Sequence, residues 1–499
     1  MFDVFLDLVL LAALSLLFSC VYHIHSRRRL PLRPLLLSGF CLSILVFSAC
    51  GQQQNGASAA PATPTSSTST TAASTPQATS SASATWNDWF TYHHDNARTG
   101  YLPNMPDPNK LTKRWSANLD GAVYAQPLMV KGHLIVATEG DSLYSLDPKT
   151  GKVLWHTNVG QPVPQSTLPC GDIDPLGITG TPVYDPATEL VFAVAEVTGP
   201  QHMLVGVDAK TGNVRVKRGV DIPGMDPVAH QQRAALLMAN NRVYVAYGGL
   251  DGDCSDYRGT IVASQTSGSG DLLSYRVPTS REGGMWAASG PASDSSGRIY
   301  ASVGNGAQTS GNWDHSDSVL RFSPTLQLQD GFAPQNWAEE NSSDTDLGST
   351  GPLLLANNLA FIAGKSGNGY LLRSNALGGI GGQIATAQVC NGKAMGGGAV
   401  AGSVVLVPCE EGIRHVSIGS GSTLTPGWQS PDLQLSPVVG GHTVYGMNSN
   451  GTLYALNLDT GAVRAKVAIA QTPRFVSPML SGNSVFVGTT HGVVAATIS

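Results

Sequence analysis

The sequence has little charge. Asp, Glu, Lys and Arg together make up 13% of its 499 residues, and the formal net charge is −5. A general nucleic-acid binder needs many cations to neutralise phosphates, so this composition argues against that class of protein. The only basic cluster of the sequence, residues 27–29 with Arg33, lies near the start of the chain and outside the region expected to fold.

Short motifs of several enzyme classes are also absent. The sequence contains no Gly-x-Ser-x-Gly, no His-Glu-x-x-His and no phosphate-binding loop. It also lacks Cys-x-x-Cys-His, so no covalently attached haem is expected. Glycine is abundant, with 57 copies, and Val, Tyr and Trp are scattered among them. This composition favours a protein of strands and turns over a helical one.

The first 50 residues contain two apolar stretches. Residues 1–29 include one long enough to span a bilayer. This stretch is interpreted either as a misassigned translation start or as an extra helix. Residues 30–50 have the layout of a secretory signal, with a positive segment before an apolar stretch that ends in small residues. Phe47-Ser48-Ala49-Cys50 resembles the bacterial lipobox, which implies lipidation of Cys50. An uncleaved membrane anchor is the alternative, and both place the rest of the chain outside the cytoplasm.

A polar linker follows the leader. Residues 51–85 are almost wholly Ser, Thr, Ala, Pro, Gln and Gly. Such a segment cannot bury enough apolar surface to fold, so it predicts a disordered tether. The folded part is then residues 86–499, which the tether would hold clear of the membrane.

One pattern recurs eight times in residues 86–499. In full it consists of a β-rich run, a turn with Gly or Asp, a second apolar strand, then Asp-x-x-Thr-Gly and another strand, and the weaker copies share the β-rich run. The clearest copy covers residues 133–155, and the other β-rich runs begin at Leu190, Arg242, Arg298, Leu359, Ser403, His442 and Ser484. Spacings of roughly 40 to 60 residues with period-two alternation are typical of four-stranded propeller blades. We therefore predict an all-β, eight-bladed β-propeller of antiparallel blades.

The two ends of the folded part complement each other. After the run that begins at Ser484 the chain ends without a fourth strand, whereas residues 111–119 look like an orphan fourth strand. We predict that this segment completes the last blade and so closes the ring. Residues 93–101 are expected to pack against one end of the propeller.

Residues 141–155 resemble the pyrroloquinoline-quinone repeat, and its copies cover residues 111–499. The resemblance implies a propeller like that of the quinoprotein alcohol dehydrogenases, which use this quinone with calcium. Trp286 resembles the indole that forms the floor under the quinone, and Lys365 resembles a basic residue that contacts it.

Four further residues are implied by the same resemblance. Glu196 and Asn305 resemble calcium ligands, and Asp344 or Asp346 falls near the catalytic aspartate. Carboxylate and amide oxygens suit calcium, and an aspartate can take the proton of an alcohol. The chain departs from these enzymes in one respect: they carry adjacent cysteines over the quinone, and the matching residues 123–137 contain none.

The favoured function is a non-catalytic binding or scaffold module at the cell surface, with no cofactor. A related member of the repeat family is an assembly scaffold for outer-membrane proteins. An unknown ligand or surface protein would bind the mouth loops, residues 160–180, 220–240, 250–258 and 305–350. The alternative is a pyrroloquinoline-quinone- and calcium-dependent alcohol dehydrogenase, which requires the named side chains to converge at the ring axis.

Two further features concern the loops. Four cysteines lie in the folded part, and an even number in an oxidising compartment favours disulfides. Cys390 with Cys409 and Cys170 with Cys254 are the expected pairs, and free buried thiols are the alternative. Arg233 lies in a long insertion between blades 2 and 3, where it is a candidate for binding an anionic or sugar ligand; a structural loop network is the alternative.

Overall fold

The eight β-rich runs of the repeat form the second strand of eight sheets. The structure, a computed structural model, describes residues 85–499. Each sheet contains four antiparallel strands, and three sheets carry one additional edge strand. The predicted all-β, eight-bladed propeller is therefore confirmed. The predictions for residues 1–29, for the signal with Cys50 and for residues 51–84 of the linker lie outside the described residues.

The strands of the first half follow the predicted repeats closely. Two strands come before blade 1: Tyr101–Leu102 (β1) and Leu111–Asn118 (β2). Blades 1 to 4 then contain Leu128–Val130 (β3), His133–Thr138 (β4), Ser142–Leu146 (β5) and Val153–Asn158 (β6); Val183–Asp185 (β7), Leu190–Val197 (β8), Gln201–Asp208 (β9) and Val214–Gly219 (β10); His230–Gln231 (β11), Leu237–Ala239 (β12), Arg242–Gly249 (β13), Thr260–Gln265 (β14) and Leu273–Arg276 (β15); Ala292–Ser293 (β16), Ile299–Val303 (β17), Ser318–Phe322 (β18) and Leu328–Ala333 (β19).

The second half continues the same order. Blades 5 to 8 contain Leu353–Leu355 (β20), Leu359–Ala363 (β21), Asn368–Arg373 (β22) and Ala385–Gln388 (β24); Ala399–Ala401 (β25), Val404–Cys409 (β26), Gly412–Ile418 (β27) and Leu424–Ser430 (β28); Val438–Gly440 (β29), Thr443–Met447 (β30), Thr452–Asn457 (β31) and Val463–Ala468 (β32); Met479–Ser481 (β33), Ser484–Thr489 (β34) and Gly492–Ile498 (β35). Gly379–Ile380 (β23) adds a parallel edge to β19, as β1 does to β29.

The ring closes as predicted. Strand β2 pairs antiparallel with β35, from Leu111 opposite Ile498 to Asn118 opposite Gly492. The fourth strand of blade 8 thus comes from the beginning of the folded part and its other three strands from the end. This pairing joins the two ends of the folded part by backbone hydrogen bonds within one sheet, which holds the ring closed.

The Thr-Gly turns at residues 147–151, 208–212 and 457–461 also join one blade to the previous one. In blade 1, the Asp147 carboxylate accepts hydrogen bonds from the backbone N–H groups of Lys149 (2.7 Å) and Thr150 (3.0 Å). Gly151 follows at φ +73°, and a Cβ there would lie 2.6 Å from the indole of Trp115, on the last strand of blade 8. Trp155 packs on Gly212 and Trp428 packs on Gly461 in the same way. The recurring glycine is required by both its backbone conformation and this contact.

The described residues contain one α-helix, Trp337–Ser343 (α1), and two 3-10 turns, Gln165–Thr167 and Leu347–Ser349. The helix lies between blades 4 and 5 and was not predicted from the sequence. No helix within residues 85–499 is long and apolar enough to cross a bilayer.

The segment before β2 encircles the axis. Residues 87–102, the N-terminal belt, hydrogen-bond in chain order with inner strands or the residues beside them in every blade, beginning at blade 8 and ending at blade 7. The partners are Ser481, Met129, Tyr184, Met238, Ser293, Leu354, Val400, Val439 and Gly441. The expectation that this segment packs against one end of the propeller is confirmed. Because it contacts every blade, the belt acts as a second closure of the ring.

Candidate functional site

A cavity opens at the mouth of the propeller. Its volume is about 380 Å³, in the size range of small-molecule sites. It is lined by residues from blades 3 to 8 and the loops between them: Gln231, Arg233, Gly249, Leu250, Asp251, Gly252, Asp253, Tyr257, Trp286, Asn305, Lys365, Lys393, Met395, Pro408, Cys409, Glu410, Gln434, Leu435, Arg474 and Phe475. Contributions from six of the eight blades place this axial cavity on the ring axis.

Three of the residues singled out from the sequence line the axial cavity together: Trp286, Asn305 and Lys365. The Lys365 Nζ atom lies 5.4 Å from the centre of the Trp286 ring system. The same ammonium group lies 2.6 Å from Asp344 Oδ1 and 2.7 Å from Asp346 Oδ1. Five of the six residues implied by the resemblance are therefore neighbours of this cavity or of its lysine.

The two aspartates bound to Lys365 have different environments. Asp344 ends helix α1 in the left-handed conformation, φ 51°, and its side chain is 60% exposed. Asp346 is fully buried, and burial raises the pKa of its carboxyl group against the opposing charge of Lys365. Burial would lower the pKa of Lys365, but the two carboxylates outweigh it and raise that pKa. Asp346 is therefore the buried carboxylate of the site.

Two glycines, which have no side chain, leave room for the Trp286 indole and the Asp346 carboxylate. A Cβ on Gly304 would lie 2.9 Å from Asp346 Oδ2 and 3.0 Å from Trp286 Nε1. A Cβ on Gly248 would lie 2.7 Å from the Cβ of Trp286. Any larger residue would displace the indole or the carboxylate, so these glycines are part of the site's construction.

Glu196 does not line the axial cavity. Its Oε1 accepts a hydrogen bond from the Gln232 backbone N–H at 2.6 Å, and its Oε2 lies 3.7 Å from His202 Nε2. Burial opposes a charge on His202, but Glu196 and Asp221 together raise the pKa of that imidazole to about 10. The glutamate that resembles a calcium ligand therefore faces a buried histidine and not the axial cavity.

Two buried carboxyl groups near Glu196 had no motif to reveal them. Glu139 and Asp141 follow the second strand of blade 1, and both are fully buried. Burial raises the pKa of each to about 8, and the charge of Glu196 adds to this effect. Glu139 Oε2 accepts a hydrogen bond from the Gly177 backbone N–H at 2.7 Å.

Four cations line the axial cavity: Arg233, Lys365, Lys393 and Arg474. Arg474 forms ion pairs with Asp172 and Asp251. The Arg233 guanidinium lies 4.4 Å above the Phe475 ring and 6.0 Å from the Trp286 ring system. The sequence analysis singled out Arg233 but not Lys393, Arg474 or Phe475. These three lie in connections that precede an inner strand. Only their position relative to the repeats could have marked them as candidate site residues.

Both expected disulfides are present and tie loops at the mouth. Cys170 bonds Cys254 across 84 residues, with Cα atoms 6.1 Å apart, next to the cavity residues 249–253. Cys390 bonds Cys409, which itself lines the cavity, across 19 residues. The walls of the cavity are therefore covalently fixed on two sides.

Comparisons with known proteins agree with this architecture. Residues 107–290 match the family model described as outer membrane protein assembly factor BamB. Polyvinylalcohol dehydrogenase from Sphingopyxis sp. (strain 113P3) is 27% identical over 267 residues, which cover 48% of this chain and 38% of that protein. The match therefore spans well under two thirds of the relative's length.

Solved structures share the fold at low sequence identity. Quinohemoprotein alcohol dehydrogenase from Comamonas testosteroni has a TM-score of 0.61 and 15% identity over 82% of this chain and 80% of its own. A europium-containing methanol dehydrogenase has a TM-score of 0.64 and 13% identity, over 83% and 98%. BamB from Moraxella catarrhalis has a TM-score of 0.53 and 16% identity, over 78% and 100%.

Repeat pattern, blade architecture and comparisons define one class of protein. The chain is an eight-bladed β-propeller, and its residues 107–290 are similar to the BamB family model. Its fold is similar to that of the quinohemoprotein alcohol dehydrogenase and of the methanol dehydrogenase.

Proposed function

We propose that the axial cavity binds a flat, multiply anionic quinone of the pyrroloquinoline-quinone type, and that the protein oxidises an alcohol with it. The proposal rests on the convergence of Trp286, Asn305 and Lys365 around one cavity, with Asp346 held against Lys365. The enzyme interpretation requires this convergence of side chains, whereas the scaffold interpretation does not. Three relatives named as alcohol or methanol dehydrogenases support the same reaction class.

The residues of the cavity suit such a quinone. The ligand is planar and carries carboxylates, and the cavity offers an indole, a phenyl ring and four cations. When bound, the quinone would supply the two-electron acceptor that amino-acid side chains cannot provide. Trp286 would provide a flat surface for the ring system, and Lys365 and Arg233 would face its oxygen atoms.

The calcium ion implied by the family resemblance fits less well. Asn305 and Asp346 offer oxygen ligands beside the cavity, but Glu196 is already bound to Gln232 and faces His202. Calcium takes six to eight oxygen ligands, and this donor set is incomplete. We therefore derive no step through calcium.

The chain's own residues would then act on the alcohol. Asp346 would accept the proton of the substrate hydroxyl, because it is the buried carboxylate closest to the cavity lysine. Lys365 would hold that carboxylate in position. Burial raises the pKa of the Asp346 carboxyl group and so makes it a stronger base, whereas the charge of Lys365 lowers that pKa.

A binding and turnover experiment tests the proposal. The purified full chain is titrated with pyrroloquinoline quinone in a calorimeter, with and without calcium, and the same samples are assayed for dye-linked alcohol oxidation. We expect binding by the wild type, weaker binding by Trp286→Ala, and loss of turnover but retained binding in Asp346→Asn. Absence of binding at high micromolar quinone would rule out the enzyme interpretation.

A scaffold function is the second candidate, because residues 107–290 match the BamB family model. In that case the mouth loops would contact a surface protein. Such a protein would tolerate Asp346→Asn without losing its partner, but would lose it on substitution of exposed loop residues such as Asp256.

An extracytoplasmic location belongs to the same proposal. Two disulfides suit an oxidising compartment. Anchoring through a lipid on Cys50 is proposed from the lipobox resemblance alone. Mass spectrometry of the mature protein tests it, since a diacylglyceryl-modified N-terminal cysteine is expected and an intact residue 1 would contradict it.

A further inference from the structure

Arg233 differs from the other charged residues of the axial cavity in having no partner. Within residues 85–499, its guanidinium donates no hydrogen bond, and no carboxylate lies within ion-pairing distance. Lys365 has two carboxylates, and Arg474 has Asp172 and Asp251. Arg233 instead lies over the Phe475 ring, at 4.4 Å, and 6.0 Å from the Trp286 ring system.

This position removes part of the hydration of the cation, because the side chain is half-buried. Burial lowers the pKa of Arg233 to about 10, and the nearby Arg474 acts in the same direction because it carries the same charge. Two aromatic rings recover part of the lost hydration through cation–π contacts. They leave the N–H groups at the edge of this half-buried guanidinium without acceptors from residues 85–499, so these donors can bind a ligand in the cavity.

The guanidinium faces the cavity in a geometry suited to one kind of ligand. Its five N–H donors form a planar fork that matches the two oxygens of a carboxylate. Phe475 on one side and Trp286 nearby leave room for a flat ring that carries such a group.

We infer that Arg233 anchors a carboxylate of the ligand in the axial cavity and so selects flat, anionic aromatic compounds. The inference rests on the proposed function for the identity of the quinone, whereas the anion chemistry follows from Arg233 itself. Arg233 is a specificity-determining residue, separate from Asp346 and Lys365, which act on the reacting end of the ligand.

Three probes and four proteins test the inference. The probes are pyrroloquinoline quinone, its uncharged trimethyl ester, and benzene-1,3,5-tricarboxylate, a flat anion that has no redox chemistry. The proteins are the full-length wild type, Arg233→Gln, Arg233→Lys and the control Arg215→Gln, whose side chain is 58% exposed on blade 2. Dissociation constants come from calorimetry and from quenching of tryptophan fluorescence, and circular dichroism checks that each variant is folded.

We expect Arg233→Gln to weaken binding of both anions about 10- to 100-fold, as loss of hydrogen bonds to a charged group does. Arg233→Lys should keep part of the affinity because it keeps the charge, and Arg215→Gln should match the wild type. The trimethyl ester should bind wild type and Arg233→Gln equally. Lysine at this position keeps the test informative if the glutamine variant does not fold.

The outcomes separate this inference from the proposed function. Equal quinone affinity in wild type and Arg233→Gln would overturn the anchor and leave the proposed function standing. Wild-type binding of the tricarboxylate but not of the quinone, with loss in Arg233→Gln, would support the anchor while the proposed function fails. Binding of neither anion by the wild type would overturn both.

Discussion

Two arginines, one fully buried and one half-buried, show how the N-terminal belt and the mouth of this propeller differ. Arg98 of the N-terminal belt is fully buried, and its guanidinium donates hydrogen bonds to Pro291 O, Thr91 Oγ1, Tyr92 O and Leu236 O at 2.8 to 3.1 Å. Arg233 at the mouth has none within the described residues. Burial lowers the pKa of both arginines to about 10.

The two arginines differ in the groups that accept hydrogen bonds from their guanidinium N–H donors. At the belt the chain itself supplies them, so Arg98 joins blades 3 and 4 to the N-terminal segment and stabilises the fold. At the mouth, aromatic rings position the cation and the acceptors are missing. A cation whose partners are all internal is structural, whereas one held in place without partners is available to a ligand.

Replacing each arginine by methionine should give the largest contrast between these two ends. Arg98→Met leaves four buried oxygen acceptors without donors, and each costs about 1–3 kcal/mol, so we expect a loss near 5 kcal/mol in the free energy of unfolding. Arg233→Met removes an unpaired charge and should change that free energy by less than about 1 kcal/mol. Urea unfolding of both variants measures the contrast. Equal losses would show that Arg233 is structural too.

The two disulfides should stabilise the mouth to different degrees. The bridge from Cys170 to Cys254 closes 84 residues and that from Cys390 to Cys409 closes 19. Chain entropy then predicts losses of about 4–5 and about 3 kcal/mol for the respective double serine variants. Thermal unfolding compares them with each other. The reverse order would mean that local packing around Cys409 matters more than loop length.

The buried carboxyl groups beside the mouth should make stability fall as pH rises. Glu139 and Asp141 have pKa values of about 8 in the folded protein, against 4.5 and 3.8 for the ordinary groups. Between pH 4 and 8 the folded state therefore holds more protons, and stability declines with pH until both groups have ionised. Glu139→Gln should reduce the slope by about 1.4 kcal/mol per pH unit.

Denaturant unfolding at pH 6, 7 and 8 measures this slope. Glu189→Gln is the matched control, because that side chain is 65% exposed and should leave the slope unchanged. An unchanged slope in Glu139→Gln would show that Glu139 is ionised throughout this range.

Gly304→Ala should separate binding from stability with the smallest effect on the fold. The new methyl group would meet Asp346 Oδ2 and Trp286 Nε1, so we expect a loss of about 1–2 kcal/mol in stability and more than tenfold weaker quinone binding. Gly219→Ala is the control, since a Cβ there meets nothing within 4 Å. Unchanged affinity in Gly304→Ala would place the ligand away from Trp286.

Much of the fold could be predicted from the sequence, because local patterns within each repeat specify its strands and turns. Period-two runs form the strands, and the Asp-x-x-Thr-Gly turns need their aspartate and glycine at fixed positions. Because the last repeat lacks a fourth strand, the sequence also predicted that residues 111–119 supply it. Strand β2 does so over residues 111–118. Helix α1 was missed because it lies in a connection that differs from every repeat.

The candidate site was only partly readable. Trp286, Asn305 and Lys365 were singled out by a family resemblance, and they do share one cavity. Whether Asp344 or Asp346 is the buried carboxylate could not be read from two aspartates separated by one residue. That choice follows from the end of helix α1, which leaves one side chain exposed and buries the other.

The sequence by itself determined the number of blades and the closing strand, because these depend on local patterning and on sequence order. Only the tertiary structure decided which charges meet. It turned Glu196 toward His202, gave Arg98 four acceptors, and left Arg233 beside two aromatic rings with no acceptor among residues 85–499. Those contacts join residues from different blades, and their energies depend on burial and distance, which a linear pattern does not contain.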